Sequence, residues 1–176
     1  MKYLFVKSDK IGSKIIRWGL KSQSSHFAVC FDEDMGPGCG IVFHSYGSKG
    51  THLLWLSDFL QTYQVVYAVE PFEPTEESVY RAILSQDRGQ GYDFKALLWW
   101  AWRGFLARFF GIPIPSSNSW QQNGYALCTK LAEGPLKLSG MDLTGIDFEM
   151  ISPDALYKKM IDSGQFTKNL GVAWQK

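Results

Sequence analysis

Two apolar runs flank a segment rich in turn-forming residues near the start of the chain. The runs are HFAVCF at 26–31 and CGIVFHSY at 39–46, and the segment between them is DEDMGPG at 32–38. Because β-branched and aromatic residues fill both runs, the pattern predicts a β-hairpin. A turn centred on Met35 places His26 directly opposite His44, so both imidazoles project from one face of a sheet.

The same register has consequences for the cysteines. It pairs Cys30 with Gly40 and points Cys30 and Cys39 to opposite faces, which argues against a disulfide between them. The chain holds three cysteines, so at least one thiol stays unpaired within the monomer. This usage indicates a reducing compartment or a functional thiol.

The rest of the chain alternates between strand and helix patterns. Further strands are predicted at KYLFVK (2–7) and YQVVYAVEPF (63–72). Helices are predicted at SKIIRWGLKS (13–22), SDFLQT (57–62), PTEESVYRAILSQDRG (74–89), from near Cys128, and ISPDALYKKMIDSG (151–164). Gly134 and Pro135 are expected to interrupt the helix that begins near Cys128. A chain of 176 residues is long enough to fold as one α+β domain over 1–176.

Composition and charge exclude some classes of function. Charged residues make up 20% of the chain and the formal net charge is +1. This balance, without any basic run, gives no electrostatic reason to expect a nucleic-acid partner. The N-terminal MKYLFVKSDK has four apolar residues between its first lysines, fewer than the about 7 to 15 of a secretory signal. We therefore expect a cytoplasmic protein, with delivery to the cell envelope by another route left open.

Cys128 is the residue with the clearest chemical requirements. A cysteine in the first turn of a helix lies near the positive end of the helix dipole and near free backbone N–H groups, which lower the pKa of a thiol. A thiol nucleophile also needs a histidine that holds the proton and a polar group that orients the imidazole. His26 and His44 fit these two roles, and the helix N–H groups fit the oxyanion.

Four short motifs, taken in order, resemble one family. They are SSHFAV at 24–29, GYDF at 91–94, YALCTKLAEGPL at 125–136 and ISPDAL at 151–156. Their order is similar to that of the circularly permuted branch of the NlpC-type papain-like superfamily, which includes YiiX-like amidases and lecithin:retinol acyltransferase-like proteins. The resemblance implies a permuted papain-like α+β fold, with an antiparallel sheet whose histidine strand precedes the cysteine-bearing helix.

The resemblance also implies roles for particular residues. By position, Cys128 is the nucleophile, His26 the base and His44 the third polar residue. His52 is an alternative orienting residue if the register differs. In this mechanism Cys128 attacks a carbonyl, an acyl-enzyme forms, and His26 protonates the leaving group, so neither a metal nor an organic cofactor is required.

The expected partner is a peptide or acyl substrate. The resemblance implies that Tyr92, Ser25 and Thr129 lie at its pocket, since Ser25 and Thr129 adjoin the base and the nucleophile and Tyr92 belongs to the Tyr-Asp element that precedes the nucleophile. A peptide or amide bond, such as those of bacterial cell wall, is the preferred target. Two alternatives stay open: acyl hydrolysis or transfer on lipid esters at a membrane surface, and a binding module without catalysis.

An aromatic-rich segment, about 94–120, is predicted to be a helical insertion, longer than the family resemblance implies. Its core, FKALLWWAWRGFLARFFGIPIP at 94–115, is apolar nearly all round as a helix. A membrane span needs about 20 predominantly apolar residues, and Arg103, Gly104 and Arg108 interrupt this one. The segment is therefore expected to contact a membrane surface, another subunit or a substrate chain, unless it is buried within the monomer. The contact residues would be Trp99, Trp102, Phe105 and Phe109.

Overall fold

The computed structural model describes residues 1–31, 40–46, 50–72, 91–115, 119, 125–126, 128–138, 140–142, 144–148 and 150–169. Some of the predictions lie outside these residues. They are the turn at 32–38, Cys39, the helix at 74–89 and most of the end of the aromatic insertion, 116–118 and Trp120.

Six of the described strands form one antiparallel sheet. They are β1 (Lys2–Lys7), β2 (His26–Phe31), β3 (Ile41–Tyr46), β4 (Gly50–Trp55), β5 (Gln64–Pro71) and β8 (Phe166–Asn169). Their order across the sheet is β4-β3-β2-β1-β5-β8. A short parallel pair, β6 (Gly91–Tyr92) and β7 (Tyr125–Ala126), lies apart from it. The predicted α+β class is therefore confirmed, and the strand that begins at His26 precedes the helical segment that begins at Cys128.

The described helices are five α-helices and one 3-10 helix. They are α1 (Ile11–Leu20), α2 (Leu56–Thr62), α3 (Phe94–Phe110), the 3-10 helix (Cys128–Ala132), α4 (Glu133–Leu138) and α5 (Pro153–Asp162). The interruption expected near Gly134 and Pro135 takes the form of a change of element, because the 3-10 helix ends at Ala132 and α4 begins at Glu133. Pro135 lies in the first turn of α4, where its missing N–H is not needed. The chain there changes from 3-10 to α geometry and continues as a helix.

The pairing of β2 with β3 differs from the predicted register by two residues. Ala28, and not His26, pairs with His44, and Cys30 pairs with Val42. A shift by an even number of residues keeps every side chain on its own face. The prediction of direct opposition was therefore wrong, whereas His26 and His44 still project from the same face.

Gly40, the described residue just before β3, makes close backbone contacts. Its carbonyl accepts a hydrogen bond from the backbone N–H of Leu56 at 2.7 Å, so the start of α2 holds it. A Cβ at this position would lie 2.8 Å from the Phe31 carbonyl oxygen, a distance that only glycine permits. Gly40 is thus a close backbone contact before β3 begins, and it does not pair with Cys30 as predicted.

Both faces of the sheet are buried. We call the face of Phe27 and Val29 the first face, and the face of Ala28 and Cys30 the second face, because successive strand residues alternate. The first face packs against the 3-10 helix, α4 and α5 through Tyr3, Phe5, Phe27, Val29, Leu131, Leu136, Leu156 and Met160. The second face packs against α2 through Leu4, Val6, Ala28, Cys30, Val42, Leu56 and Phe59.

The start of α5 is fixed to the segment before β2. Ser152 caps the helix, since its hydroxyl accepts the N–H of Ala155 at 3.2 Å, and a serine before a proline at the first helical position is a usual helix start. The Asp154 carboxylate accepts the N–H of Gln23 at 2.6 Å and the N–H of Ser24 at 2.9 Å, and it also accepts the Ser24 hydroxyl. The last helix therefore holds the residues that lead into the histidine strand.

Helix α3 covers Phe94–Phe110 of the aromatic-rich segment. Asp93 caps it by accepting the N–H of Ala96 at 2.8 Å, and Gly111 ends it with a φ of 65°. Its Gly104 packs against Gly19 of α1, and a Cβ on Gly104 would lie 3.1 Å from three backbone atoms of Gly19. Within the described ranges, no helix has the length and apolar character needed to cross a bilayer.

We predict that Gly104→Ala is less stable than Gly12→Ala by about 1–3 kcal/mol, the usual cost of overpacking. Both glycines lie in helices, so both substitutions gain helix propensity. A Cβ on Gly12 meets nothing within 4 Å, whereas one on Gly104 meets the Gly19 backbone. Urea unfolding of the two variants measures the difference, and equal stabilities would mean that α1 and α3 do not touch there.

Candidate functional site

Three histidines lie side by side on the second face of the sheet. His26 begins β2, His44 lies in β3, and His52 lies in β4 directly opposite His44. The Nε2 atom of His26 is 3.0 Å from Nδ1 of His44, so one ring donates a hydrogen bond to the other. The rings of His44 and His52 have centroids 4.5 Å apart. We call these residues the histidine row.

The surroundings of the histidine row are aromatic and apolar. The Tyr63 ring stacks on His26 with centroids 5.2 Å apart, and the Phe59 ring meets His44 edge-on at 5.1 Å. Burial, with a smaller contribution from the positive charge of His52, lowers the pKa of His26 to about 3. Burial, then His26 and His52, lower the pKa of His44 to about 2. Both imidazoles are therefore neutral at neutral pH.

Cys128 begins the 3-10 helix and is buried, with 6% of its surface exposed. Burial raises the pKa of the thiol to about 11, although backbone hydrogen bonds from Phe27, Thr129 and Cys128 itself oppose this rise. The expectation of a lowered thiol pKa was thus wrong for this conformation. Desolvation of the thiolate outweighs the backbone N–H groups that the helix start provides.

The sheet separates the thiol from the imidazoles. Cys128 belongs to the core of the first face, with Phe27 and Val29. His26 and His44 project from the second face, as their contacts with Tyr63 show. The structure therefore brings His26 and His44 together and places Cys128 on the other side of β2. Their joint role in one reaction stays a prediction.

The predicted pocket residues Ser25 and Thr129 lie beside Cys128 in one cleft of about 40 Å³. The Ser25 hydroxyl lies 2.6 Å from that of Ser13, and the Thr129 hydroxyl donates to the Phe148 carbonyl at 2.8 Å. Tyr92 lies in β6, paired with Ala126, two residues before Cys128. All three residues therefore lie near the thiol in the fold. Their contact with a substrate stays a prediction.

Sequence reasoning missed the apolar lining of this cleft. It comes from α1, α3 and the start of α5, through Ile16, Leu20, Leu97, Trp100, Ile151 and Pro153. The helical pattern of α1 predicts that Ile15, Ile16 and Leu20 face inward. Ile16 and Leu20 do so and line the cleft, but the prediction was wrong for Ile15, which is 46% exposed. Nothing in the sequence joins Ile16 and Leu20 to Cys128. Tyr63, which stacks on His26, was also missed, because a single tyrosine after a short helix carries no signal.

Comparisons with known proteins give a likeness among solved structures. No family model matches the chain, and no curated protein matches it. Among solved structures the chain is similar to the metalloprotein yiiX from Escherichia coli O157:H7, described as DUF1105. The two chains are 16% identical with a TM-score of 0.49, over 96% of this chain and 94% of that one. Within the described part of this chain, no group of three or more His, Cys, Asp or Glu residues is arranged to hold a metal ion.

We predict that the protein loses stability as the pH falls below the ordinary histidine pKa of 6.5. His26 and His44 have folded-state pKa values of about 3 and about 2, so below 6.5 the unfolded chain binds protons that the folded chain does not. Together, the two imidazoles should lower the free energy of unfolding by roughly 2 kcal/mol as the pH falls from about 6.5 to about 5.5. Urea unfolding at several pH values measures this.

The double variant His26→Gln with His44→Gln is the control. Its stability should depend less steeply on pH in the same window, whatever its absolute value. An unchanged slope would mean that these two imidazoles are not buried in the neutral form.

Proposed function

We propose that the protein is a cysteine hydrolase in which Cys128 attacks a carbonyl carbon and His26 is the base. The observation that supports this is the position of the Cys128 sulfur, which borders a cleft and receives backbone hydrogen bonds from Phe27, Thr129 and Cys128. Backbone N–H groups directed at one point stabilise negative charge, first on a thiolate and then on a nearby oxyanion.

The reaction has two steps in this proposal. The sulfur of Cys128 forms a bond to the carbonyl carbon while its proton passes to His26, and the carbonyl oxygen becomes an oxyanion. The intermediate then breaks the bond to the leaving group, which takes the proton from His26. Water attacks the thioester in the same manner, and the acid and the free thiol are released.

The base must reach the thiol for this chemistry. His26 is the first residue of β2, and the backbone of the next residue, Phe27, already contacts the Cys128 sulfur. The imidazole projects from the second face, so the proposal requires the backbone at the start of β2 to turn and carry His26 to the side of the thiol. Catalytic hydrogen bonds are often absent from unliganded structures and form only with substrate. His44 orients the imidazole in the state described, through the 3.0 Å hydrogen bond.

The leading substrate class is a peptide or amide, as the family resemblance implies. A lipid ester is the second candidate, and the apolar lining favours it. Ile16, Leu20, Leu97 and Trp100 surround the cleft next to Cys128, and these side chains suit an acyl chain better than a charged peptide. The same nucleophile and base serve both classes, because both reactions are acyl transfers.

The test is acylation of Cys128 by p-nitrophenyl esters of a short and a long fatty acid, followed by intact-protein mass spectrometry. We expect an acyl adduct on Cys128 that Cys128→Ser abolishes and Cys30→Ala preserves, since Cys30 lies on the second face. His26→Ala should slow acylation by about 10²–10⁴-fold, the usual contribution of a general base. A peptide anilide in the same assay compares the two substrate classes.

The pH dependence of the acylation rate shows whether His26 acts as a base. Without a base, the reaction needs a free thiolate, so the rate in His26→Ala should rise about tenfold per pH unit towards the thiol pKa of about 11. In the parent protein, the neutral His26 should make the rate nearly independent of pH around neutrality. Identical profiles, or no adduct on Cys128, would favour the binding module without catalysis.

A further inference from the structure

The exposed large apolar side chains of the protein are concentrated on α1 and α3. Ile11, Ile15 and Trp18 follow one face of α1, and Leu98, Trp102, Phe105 and Phe109 follow one face of α3 at helical spacing. Exposed fractions reach 77% at Ile11, 50% at Trp102 and 59% at Phe109. We call these seven residues the α1–α3 face. Trp99, which the sequence placed among the contact residues, is buried and faces inward.

The two helices form one continuous surface. The rings of Trp18 and Phe109 have centroids 5.7 Å apart, and the Arg108 guanidinium lies 4.9 Å from the Trp18 ring centroid. The close approach of Gly19 and Gly104 brings the helix backbones together. The aromatic side chains of α1 and α3 therefore share one side of the molecule, and an exposed apolar surface of this kind marks an interaction site.

The charged residues of the two helical segments that carry this surface are all basic. The segments 10–21 and 94–115 contain no acidic residue, and their seven basic residues are Lys10, Lys14, Arg17, Lys21, Lys95, Arg103 and Arg108. The whole chain has a net charge of +1, so the remaining residues are negative by six charges. The two helices thus carry a positive charge that the rest of the chain does not share, and the acidic residues nearest in sequence are the exposed Asp9 and the buried Asp93.

We propose that the α1–α3 face binds the surface of an anionic lipid bilayer. Exposed aromatic rings enter the headgroup region, and lysine and arginine attract anionic headgroups. A second copy of the chain is the less suitable occupant. A symmetric dimer through this face would bring two sets of like charges together without any acidic residue in either segment to neutralise them.

Docking in this way would bring the Cys128 cleft close to the bilayer. The inward sides of the same helices supply Ile16, Leu20, Leu97 and Trp100 to the cleft, so one pair of helices lies between the lipid surface and the thiol. The proposal rests on the α1–α3 face alone and does not require Cys128 to be a nucleophile.

The test is co-sedimentation of the full chain with vesicles of phosphatidylcholine and with vesicles of equimolar phosphatidylcholine and phosphatidylserine. We expect at least about tenfold stronger binding to the anionic vesicles, weakened when salt rises from about 0.1 M to about 1 M, because screening shortens the reach of the charges. Trp102→Ser with Phe109→Ser should lower binding at least about tenfold. The matched control is Trp55→Ser with Phe72→Ser, two aromatics with similar exposure elsewhere, which should bind like the parent.

A second pair of variants tests the charge. Lys14→Glu with Lys95→Glu should weaken binding to the anionic vesicles, whereas Lys158→Glu with Lys159→Glu, the same change of charge on α5, should weaken it much less. The proposal would be overturned by equal binding to both vesicle types or by equal losses of binding in variants and controls. It would also be overturned by a dimer that dissociates in the Trp102→Ser, Phe109→Ser variant. Cys128→Ser should bind vesicles like the parent, which separates this proposal from the proposed reaction.

Discussion

The fold depends on strand β2, which is buried on both of its faces. Its backbone pairs with β1 and β3, and its side chains enter both cores. A polar side chain in such a strand must find a partner within the protein, because water is excluded from both sides. His26 finds that partner in His44. The same burial that makes the strand stable therefore keeps the imidazole neutral and couples it to its neighbour.

The sequence predicted β1, β2, β3 and β5 and the face of the two histidines, because alternation along a strand is a local property. It missed β4 and β8. It also placed the register of β2 on β3 two residues away from the observed one, because register depends on turn geometry and on packing, which a local pattern does not contain. The cap at Ser152 was predictable, since a cap forms between residues three apart. The contact between Asp154 and Ser24 was not, since 130 residues separate its partners.

The candidate site, like the fold, was predicted from the sequence only in part. The shared face of His26 and His44 followed from strand alternation, whereas the state of Cys128 depended on the tertiary structure around it. Three backbone hydrogen bonds favour the thiolate, but burial is the larger effect and keeps the thiol protonated. A position at the start of a helix was therefore not sufficient to predict an activated thiol. The depth at which the helix start is buried also had to be known.

The order of the strands along the chain has a consequence for synthesis. Strands β1 to β5 all lie within the first 71 residues, whereas the cover of the first face comes from the 3-10 helix, α4 and α5, between residues 128 and 162. As the chain leaves the ribosome, the histidine row is complete long before Tyr3, Phe5 and Phe27 receive their cover. A partly made chain thus presents a wide apolar sheet, which other chains or chaperones can bind until α5 packs onto it.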